Sequence, residues 1–155
     1  MAKITLKDLS HSYLTKQNND ADWALRGVNI DWKDGGAYAL LGPSGCGKTT
    51  LLNIISGLLK PTKGEILFDD KDVTSLNPVE RDIAQIFQFP VIYDTMTVYD
   101  NLAFPLKNRG LSETEIDSKV KEIGEMLELT STLKNKAAGL TADGKQKISL
   151  GRGLV

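Results

Sequence analysis

The 155-residue chain has a single cysteine, almost balanced charges and no long hydrophobic run. One cysteine, Cys46, excludes an internal disulfide framework and is typical of a reducing compartment. Nineteen Lys and Arg residues against twenty Asp and Glu give a formal net charge of -1. This balance excludes a general basic field for nucleic acid or anionic lipid, so any anion must be held at a local site.

Membrane-spanning segments are also absent from the sequence pattern. The longest strongly apolar stretch, residues 51–59, is about half the length of a spanning helix and is interrupted by Asn53, Ser56 and Gly57. The amino-terminal segment MAKITLKDLS lacks the apolar core of a signal peptide. We therefore expect any role at a membrane to depend on a partner.

Apolar patterns predict several strands. Residues 3–9 and 24–32 alternate apolar and polar side chains, which predicts two half-buried strands of an antiparallel sheet. Short apolar runs predict further strands at residues 37–41, 64–68 and 83–87, of which the first and last are buried.

Helical patterns follow the strands in two places. Residues 48–59 carry apolar side chains at helical spacing directly after a glycine-rich loop, and helical character returns from Val98 onward. Ser112 and Glu115 form a capping box. The apolar residues that recur every three or four positions after it are Ile116, Val120, Ile123 and Leu127. They predict an ordinary amphipathic helix packed against a core.

The glycine-rich loop carries the strongest chemical signal. Residues 42–50 read GPSGCGKTT, which matches the P-loop pattern G-x-x-x-x-G-K-[ST]. Its glycines permit backbone conformations in which N–H groups turn inward toward an anion, and a helix N-terminus adds further N–H groups. Lys48 supplies a cation for the phosphates, and the Thr49 hydroxyl can ligate Mg²⁺. The alternative is a glycine-rich turn with an exposed lysine, but the predicted strand before the loop and helix after it favour phosphate binding.

The chain resembles a known family at several motifs. GPSGCGKTTLL, GLLKPTKGEI and IAQIFQFP match, in order and spacing, the ATP-binding subunits of ABC transporters, especially importers of carbohydrates and polyols. The resemblance implies an α/β fold, a partial P-loop NTPase core with an antiparallel β subdomain and a helical subdomain. It further implies that residues 1–155 are the N-terminal part of one ATPase domain. Residues 1–90 would form the nucleotide-binding core and β subdomain, and residues 91–155 the Q-loop, helical subdomain and signature segment.

The resemblance also implies roles for individual residues in binding ATP and Mg²⁺. Nucleotide binding would involve Tyr13, Gly42, Ser44, Gly45, Cys46, Gly47, Lys48, Thr49 and Thr50. Tyr13 would stack on the adenine, with Trp23 as the alternative aromatic residue. Lys48 and Gln88 would be catalytic, and Thr49 and Gln88 would be Mg²⁺ ligands. Cys46 is expected to be structural, and His11 is expected at the surface.

The implied function is coupling of MgATP binding and hydrolysis to import of a solute, a sugar or a polyol such as glycerol. Residues 89–105 are unusually apolar for a connecting segment. The resemblance implies that they dock a helix of a transmembrane permease subunit, which would place the chain peripherally on the cytoplasmic face of the inner (plasma) membrane. A solute-binding protein would be an indirect partner, and nucleic acid would not be a partner.

One segment departs from the family pattern. Residues 140–144 read LTADG where the family signature is LSGGQ, so Thr141, Ala142, Asp143 and Gly144 would face the nucleotide of the opposite subunit. The Asp143 carboxylate replaces a glycine and would repel a phosphate. We therefore expect a weakened signature and pairing with a different ATPase subunit. The alternative is that Asp143 turns outward to solvent.

The family's Walker B aspartate, catalytic glutamate and switch histidine have no counterpart before Val155. We therefore expect a fragment of a longer ATPase, inactive in hydrolysis by itself, with residues 140–155 lacking packing partners. Three alternative functions are a soluble ABC-type ATPase acting in DNA repair or on ribosomes, a small P-loop kinase or GTPase, and a nucleotide-binding regulatory module. The sequence leaves the transported solute open.

Overall fold

A computed structural model describes residues 2–155. They form two compact units, one ending at Ile83 and the other running from Ala84 to Val155. Across residues 2–155, no helix combines the length and the apolar character needed to cross a lipid bilayer.

The first unit is built on a four-stranded antiparallel sheet in the order β2, β1, β3, β4. The strands are β1 (Ile4–His11), β2 (Leu25–Trp32), β3 (Lys63–Phe68) and β4 (Lys71–Asp72). The central strand β1 pairs with β2 on one side and β3 on the other, so that Ile4 lies opposite both Trp32 and Phe68. The strands predicted at residues 3–9, 24–32 and 64–68 are confirmed.

Helix α1 (Lys48–Ile55) completes the core of the first unit by packing its apolar face on the sheet. The shared buried cluster consists of Leu6, Leu9, Leu25, Leu51, Ile54, Ile55, Ile66, Phe68 and Val73. The helix is shorter than the predicted 48–59, because the chain turns at Gly57, which has a left-handed φ of 82°.

Two predicted strands are wrong. Residues 37–41 and 83–87 both lie within the described range, and neither forms a strand. Leu41 is 91% exposed and Phe87 is 42% exposed, so these runs are not buried either. An apolar segment becomes a strand only when a neighbouring strand takes its backbone hydrogen bonds. The sheet formed by residues 2–83 includes neither segment.

The second unit is helical. Its helices are α2 (Val98–Asn108), α3 (Glu113–Met126) and α4 (Ala142–Leu154), with short 3₁₀ turns at Thr130–Thr132 and Ala137–Gly139. The predicted capping box is present at the start of α3, where the Ser112 N–H donates to Glu115 Oε2 at 2.9 Å. Hydrogen bonds from Ser112 hold the pKa of the Glu115 carboxyl below its ordinary value.

Helix α4 has packing partners within this unit, so the prediction that residues 140–155 lack them is wrong. Ile148 is fully buried in the same apolar cluster as Leu102 and Val120. A Cβ added at Gly151 would lie 2.6 Å from Leu102 Cδ2. Glycine therefore allows α4 to approach α2 closely, and α2 with α3 supplies the contacts that sequence reasoning placed elsewhere.

Candidate functional site

The backbone of the glycine loop has the conformation that the motif predicts. Gly45 and Gly47 have left-handed φ values of 82° and 90°. Gly47 caps α1 without a side-chain hydrogen bond, so the N–H groups of the first helical turn lack side-chain acceptors from the cap. The Cys46 N–H donates to the Pro43 carbonyl at 3.4 Å, which tightens the loop. An anion at this helix N-terminus would find several donors.

Two glycines of the loop also sit where a side chain would not fit. A Cβ on Gly47 would lie 2.5 Å from the Ala24 carbonyl oxygen and 2.9 Å from Leu25 Cδ2. A Cβ on Gly42 would lie 2.6 Å from Cys46 Sγ. The loop is thus pressed against the start of β2, and this contact fixes where its N–H groups are held.

The Lys48 side chain folds back over the loop. Its Nζ donates to the carbonyl oxygens of Gly42 at 2.7 Å and Pro43 at 2.8 Å, and it lies 3.6 Å from the exposed Cys46 Sγ. Both carbonyl acceptors are neutral, so the ammonium charge remains available to an anion at the loop.

Tyr13 lies beside the first turn of α1. The residue is 66% exposed, and its hydroxyl is 3.0 Å from Thr50 Oγ1. The structure therefore brings the predicted base-stacking residue to the phosphate loop. The alternative residue, Trp23, has Lys63 Nζ 5.2 Å from its ring centroid. Thr49, the predicted metal ligand of the loop, is exposed.

His11 is buried, so its expected surface position is wrong. The residue is 6% exposed, and neither ring nitrogen has a hydrogen-bond partner among the described residues. It is the last residue of β1, after a register shift between Leu9 and His11 in the pairing with β2. This irregularity breaks the alternation of buried and exposed positions, which is why the pattern gave no warning of the burial.

Arg81 is a residue that sequence reasoning missed. The residue is 5% exposed, and its side chain caps the C-terminal end of α1 by donating to the carbonyl oxygens of Ile54 and Ile55, each at 2.8 Å. It also donates to the carbonyls of Leu76 and Thr74, each at 3.0 Å. Burial lowers the pKa of the Arg81 guanidinium. The helix that opens at the phosphate loop is therefore anchored at its far end by a buried cation.

In the second unit, Gln88 is exposed, and the chain on either side of it is hydrogen-bonded to side chains of α4. Gln146 Nε2 donates to the Phe87 carbonyl at 3.4 Å. The Val91 N–H donates to Ser149 Oγ at 3.3 Å, and Arg152 donates to the Val91 carbonyl at 2.7 Å. None of these three α4 side chains was predicted, because nothing in the local spacing links them to residues about 60 positions earlier.

The signature-like segment forms the start of α4. Thr141 caps the helix, since its Oγ1 accepts from the Gly144 N–H at 3.2 Å. The Asp143 side chain is 80% exposed and its carboxylate lies 3.9 Å from Lys147 Nζ, which also binds Glu128 at 2.9 Å. These residues line a cavity of about 320 Å³. Sequence reasoning missed Lys147, although an Asp and a Lys four positions apart on a helix are a known pairing signal.

A glycine loop that opens onto a helix, with a lysine folded over it, is part of the arrangement of P-loop nucleotide-binding proteins, although residues 37–41 before the loop form no strand. The family model described as ABC transporter matches residues 25–155. The chain belongs to the ABC transporter family, whose ATP-binding cassettes bind ATP.

Individual relatives agree with this family. The chain is 46% identical over 138 residues to the trehalose/maltose import ATP-binding protein MalK of Thermococcus litoralis, a match that covers 85% of this chain and 37% of the relative. It is 40% identical over 155 residues to the sn-glycerol-3-phosphate import ATP-binding protein UgpC of Cupriavidus metallidurans, covering 100% of this chain and 41% of the relative. The chain thus spans about two fifths of the length of these curated relatives.

A solved structure gives the same result for the fold. MJ1267, an ATP-binding cassette of an ABC transporter, superimposes with a TM-score of 0.84 at 30% identity. The match covers 99% of this chain and 65% of that chain. The α/β fold with an antiparallel subdomain and a helical subdomain is therefore confirmed.

Proposed function

We propose that the intact protein couples MgATP binding and hydrolysis to import of a solute, a sugar or a polyol such as glycerol. One observation carries the nucleotide part of this proposal. The left-handed Gly45 and Gly47 open the loop onto the N-terminus of α1, and Lys48 folds over it. The importer part rests on the relatives, which are named as import ATP-binding proteins for trehalose/maltose and sn-glycerol-3-phosphate.

The residues of the loop fit a nucleotide polyphosphate. Backbone N–H groups between Ser44 and Thr50, other than that of Cys46, which donates to the Pro43 carbonyl, would hold the phosphates, with the Lys48 ammonium as counter-charge. Tyr13 would stack on the adenine. When bound, Mg²⁺ would neutralise charge that develops on the phosphates. The Thr49 hydroxyl would be one of its protein ligands.

Exposed apolar residues of the second unit support the proposal of a membrane partner. Phe89 is 76% exposed, Val91 56% and Tyr93 41%, so three large apolar side chains face solvent within five residues. Exposed apolar patches of this kind are typical of protein interfaces. We propose that this surface docks a transmembrane permease subunit at the cytoplasmic face of the membrane. This surface belongs to the second unit, whereas the phosphate loop belongs to the first.

A second candidate is a soluble ABC-type ATPase or a nucleotide-binding regulatory module. It would use the same phosphate loop but would leave the Phe89, Val91 and Tyr93 surface unoccupied. Reconstitution with the candidate permease distinguishes the two, because only an importer subunit would sediment with permease-containing vesicles and be released by mutation of Phe89 to Asp.

Replacing Lys48 by Ala is expected to weaken MgATP binding by about 10- to 100-fold, the range of a hydrogen bond to a charged group. Lys60, which lies outside the loop, is the matched control, and its replacement by Ala should leave the affinity unchanged. The measurement is calorimetric titration of the intact protein with MgATP. Equal MgATP affinity in the Lys48→Ala variant and the parent protein would contradict the assignment of the loop.

We further propose that this subunit pairs with a different ATPase subunit. Asp143 places a carboxylate where the family signature has glycine. Lys147 at 3.9 Å offsets only part of its charge, because the Asp143 side chain is 80% exposed and Lys147 also pairs with Glu128 at 2.9 Å. The intact protein alone is therefore expected to hydrolyse ATP slowly and without cooperativity.

Replacing Asp143 by Gly removes the charge repulsion between its carboxylate and a phosphate. The ATPase rate of the protein alone is therefore expected to rise by about tenfold. The comparison is the ATPase rate as a function of protein concentration for Asp143→Gly and for Glu128→Gln, which alters the other acidic partner of Lys147. Cooperative hydrolysis by the unmodified protein alone would rule out the pairing.

A further inference from the structure

The backbone that carries the docking surface, Phe89, Val91 and Tyr93, is hydrogen-bonded to buried side chains. Asn101 is fully buried and binds both polar groups of the Tyr93 backbone. Its Oδ1 accepts from the Tyr93 N–H at 2.8 Å, and its Nδ2 donates to the Tyr93 carbonyl at 2.9 Å. Ser149 Oγ accepts from the Val91 N–H at 3.3 Å. A partner that binds this surface therefore meets a backbone whose conformation is already supported, which lowers the ordering cost of association.

Arg152 adds a positive charge to the docking surface. Its guanidinium carbon lies 4.7 Å from the centroid of the Tyr93 ring and 5.9 Å from that of the Phe104 ring. Arg152 also donates to the Val91 carbonyl at 2.7 Å. The cation–π contacts and this hydrogen bond hold the guanidinium beside two of the three exposed apolar side chains.

The charge of Arg152 has no counter-charge within its own unit. Its acceptor, the Val91 carbonyl, is neutral, and among residues 84–155 no carboxylate lies within ion-pair distance of it. Lys145, on the same helix, differs because it pairs with Asp94 at 2.9 Å. A guanidinium has five N–H donors in a planar fork, so one bond to Val91 leaves donors for a further acceptor. A carboxylate matches this fork best, because it can accept two parallel hydrogen bonds.

We propose that Arg152 is a specificity-determining residue of the docking surface, an inference that rests on the proposed function. It binds a carboxylate that a cytoplasmic segment of the permease presents among apolar side chains. A wholly apolar segment would bury the guanidinium without a counter-charge, which is costly. Aromatic residues and arginine together are typical of the cores of protein interfaces, which favours a protein partner over an anionic lipid.

The test measures sedimentation of the intact protein with the candidate permease in phosphatidylcholine vesicles. Arg152→Gln removes the charge, so binding should weaken by about 10- to 100-fold, the range of a hydrogen bond to a charged group. Arg152→Lys keeps the charge and should bind more tightly than Arg152→Gln. Arg109→Gln is the matched control, because Arg109 also donates to a main-chain carbonyl at 2.7 Å, that of Val155 rather than one of the docking surface. Its binding should equal that of the parent protein.

A double-mutant cycle separates a direct ion pair from a local change in the shape of the surface. The acidic residues in the cytoplasmic loops of the permease are replaced by their amides, one at a time. One replacement should weaken binding of the parent protein by about the same factor as Arg152→Gln, and should have little further effect on the Arg152→Gln variant. If every replacement changes the binding of the parent protein and of Arg152→Gln by equal factors, the ion pair is overturned.

Two further outcomes bear on the partner. Vesicles that contain phosphatidylglycerol but no permease test the lipid: Arg152-dependent binding to them as tight as that to the permease would overturn the permease carboxylate as the partner. Binding to permease vesicles that Phe89→Asp abolishes and Arg152→Gln leaves unchanged would overturn the role of Arg152 alone. Absence of binding by the parent protein would overturn the permease docking and the ion pair together.

Discussion

Replacing Arg81 by Met is expected to lower the free energy of unfolding of the first unit by about 3–5 kcal/mol. Methionine keeps much of the side-chain volume but donates no hydrogen bond. The carbonyl groups of Ile54, Ile55, Thr74 and Leu76 would lose a charged donor inside a buried site. The C-terminal end of α1 would also lose the cation that its dipole favours.

The measurement is urea denaturation monitored by tryptophan fluorescence. It reports on the first unit, because both tryptophans, Trp23 and Trp32, lie there. Arg26→Met is the matched control, since Arg26 makes only an exposed ion pair with Asp20. It should leave the denaturation midpoint nearly unchanged. Arg81→Lys should recover part of the loss, because an ammonium can reach some of the same carbonyls. Equal midpoints for Arg81→Met and Arg26→Met would contradict the anchoring role.

The role of Arg81 could not be read from the sequence. Its acceptors on α1 are main-chain carbonyls 26 and 27 residues earlier in the chain, and no side-chain type or spacing marks a carbonyl as an acceptor. An arginine beside Glu80 and Asp82 looks like one member of an exposed charge cluster. The fold alone decides that the guanidinium turns inward.

Strands could be predicted correctly only where the local pattern shows which face of the strand lies against a core. Alternation at residues 24–32 indicates one face on a core and one in solvent, and β2 forms there. A continuous apolar run such as 37–41 states only that the segment would be buried on both faces if neighbouring strands were present. In the described chain the segment has no such neighbours, and Leu41 remains in solvent.

The candidate site also has features that the sequence predicts and contacts that it does not. The loop motif fixes the identities and order of Gly45, Gly47 and Lys48, and their backbone conformation follows from the glycines. The contact between the Tyr13 and Thr50 hydroxyls joins residues 37 positions apart and depends on how β1 ends beside α1. Such contacts are set by tertiary packing, so the sequence could name Tyr13 as an aromatic candidate but could not show what its hydroxyl binds.

Replacing Gly47 by Ala is expected to weaken MgATP binding at least about 100-fold, equivalent to about 2.7 kcal/mol. Two costs combine at this position. The left-handed φ of 90° strains any residue with a Cβ. The added Cβ would also lie 2.5 Å from the Ala24 carbonyl oxygen, a backbone atom at the start of β2 that cannot move without disturbing the sheet. The loop must therefore shift, and the N–H groups that converge on the phosphates shift with it.

Gly45→Ala separates these two costs. Gly45 has a similar φ of 82°, but a Cβ there would meet nothing within 4 Å. This variant introduces only the conformational strain, so its MgATP affinity should fall by about tenfold. Both variants are titrated with MgATP after thermal denaturation shows that each is folded. Equal losses would mean that the contact with Ala24 does not position the loop, whereas an unchanged affinity in Gly47→Ala would mean that phosphates bind elsewhere. If contact with the start of β2 positions the loop, the MgATP affinities of the two variants should differ by tenfold or more.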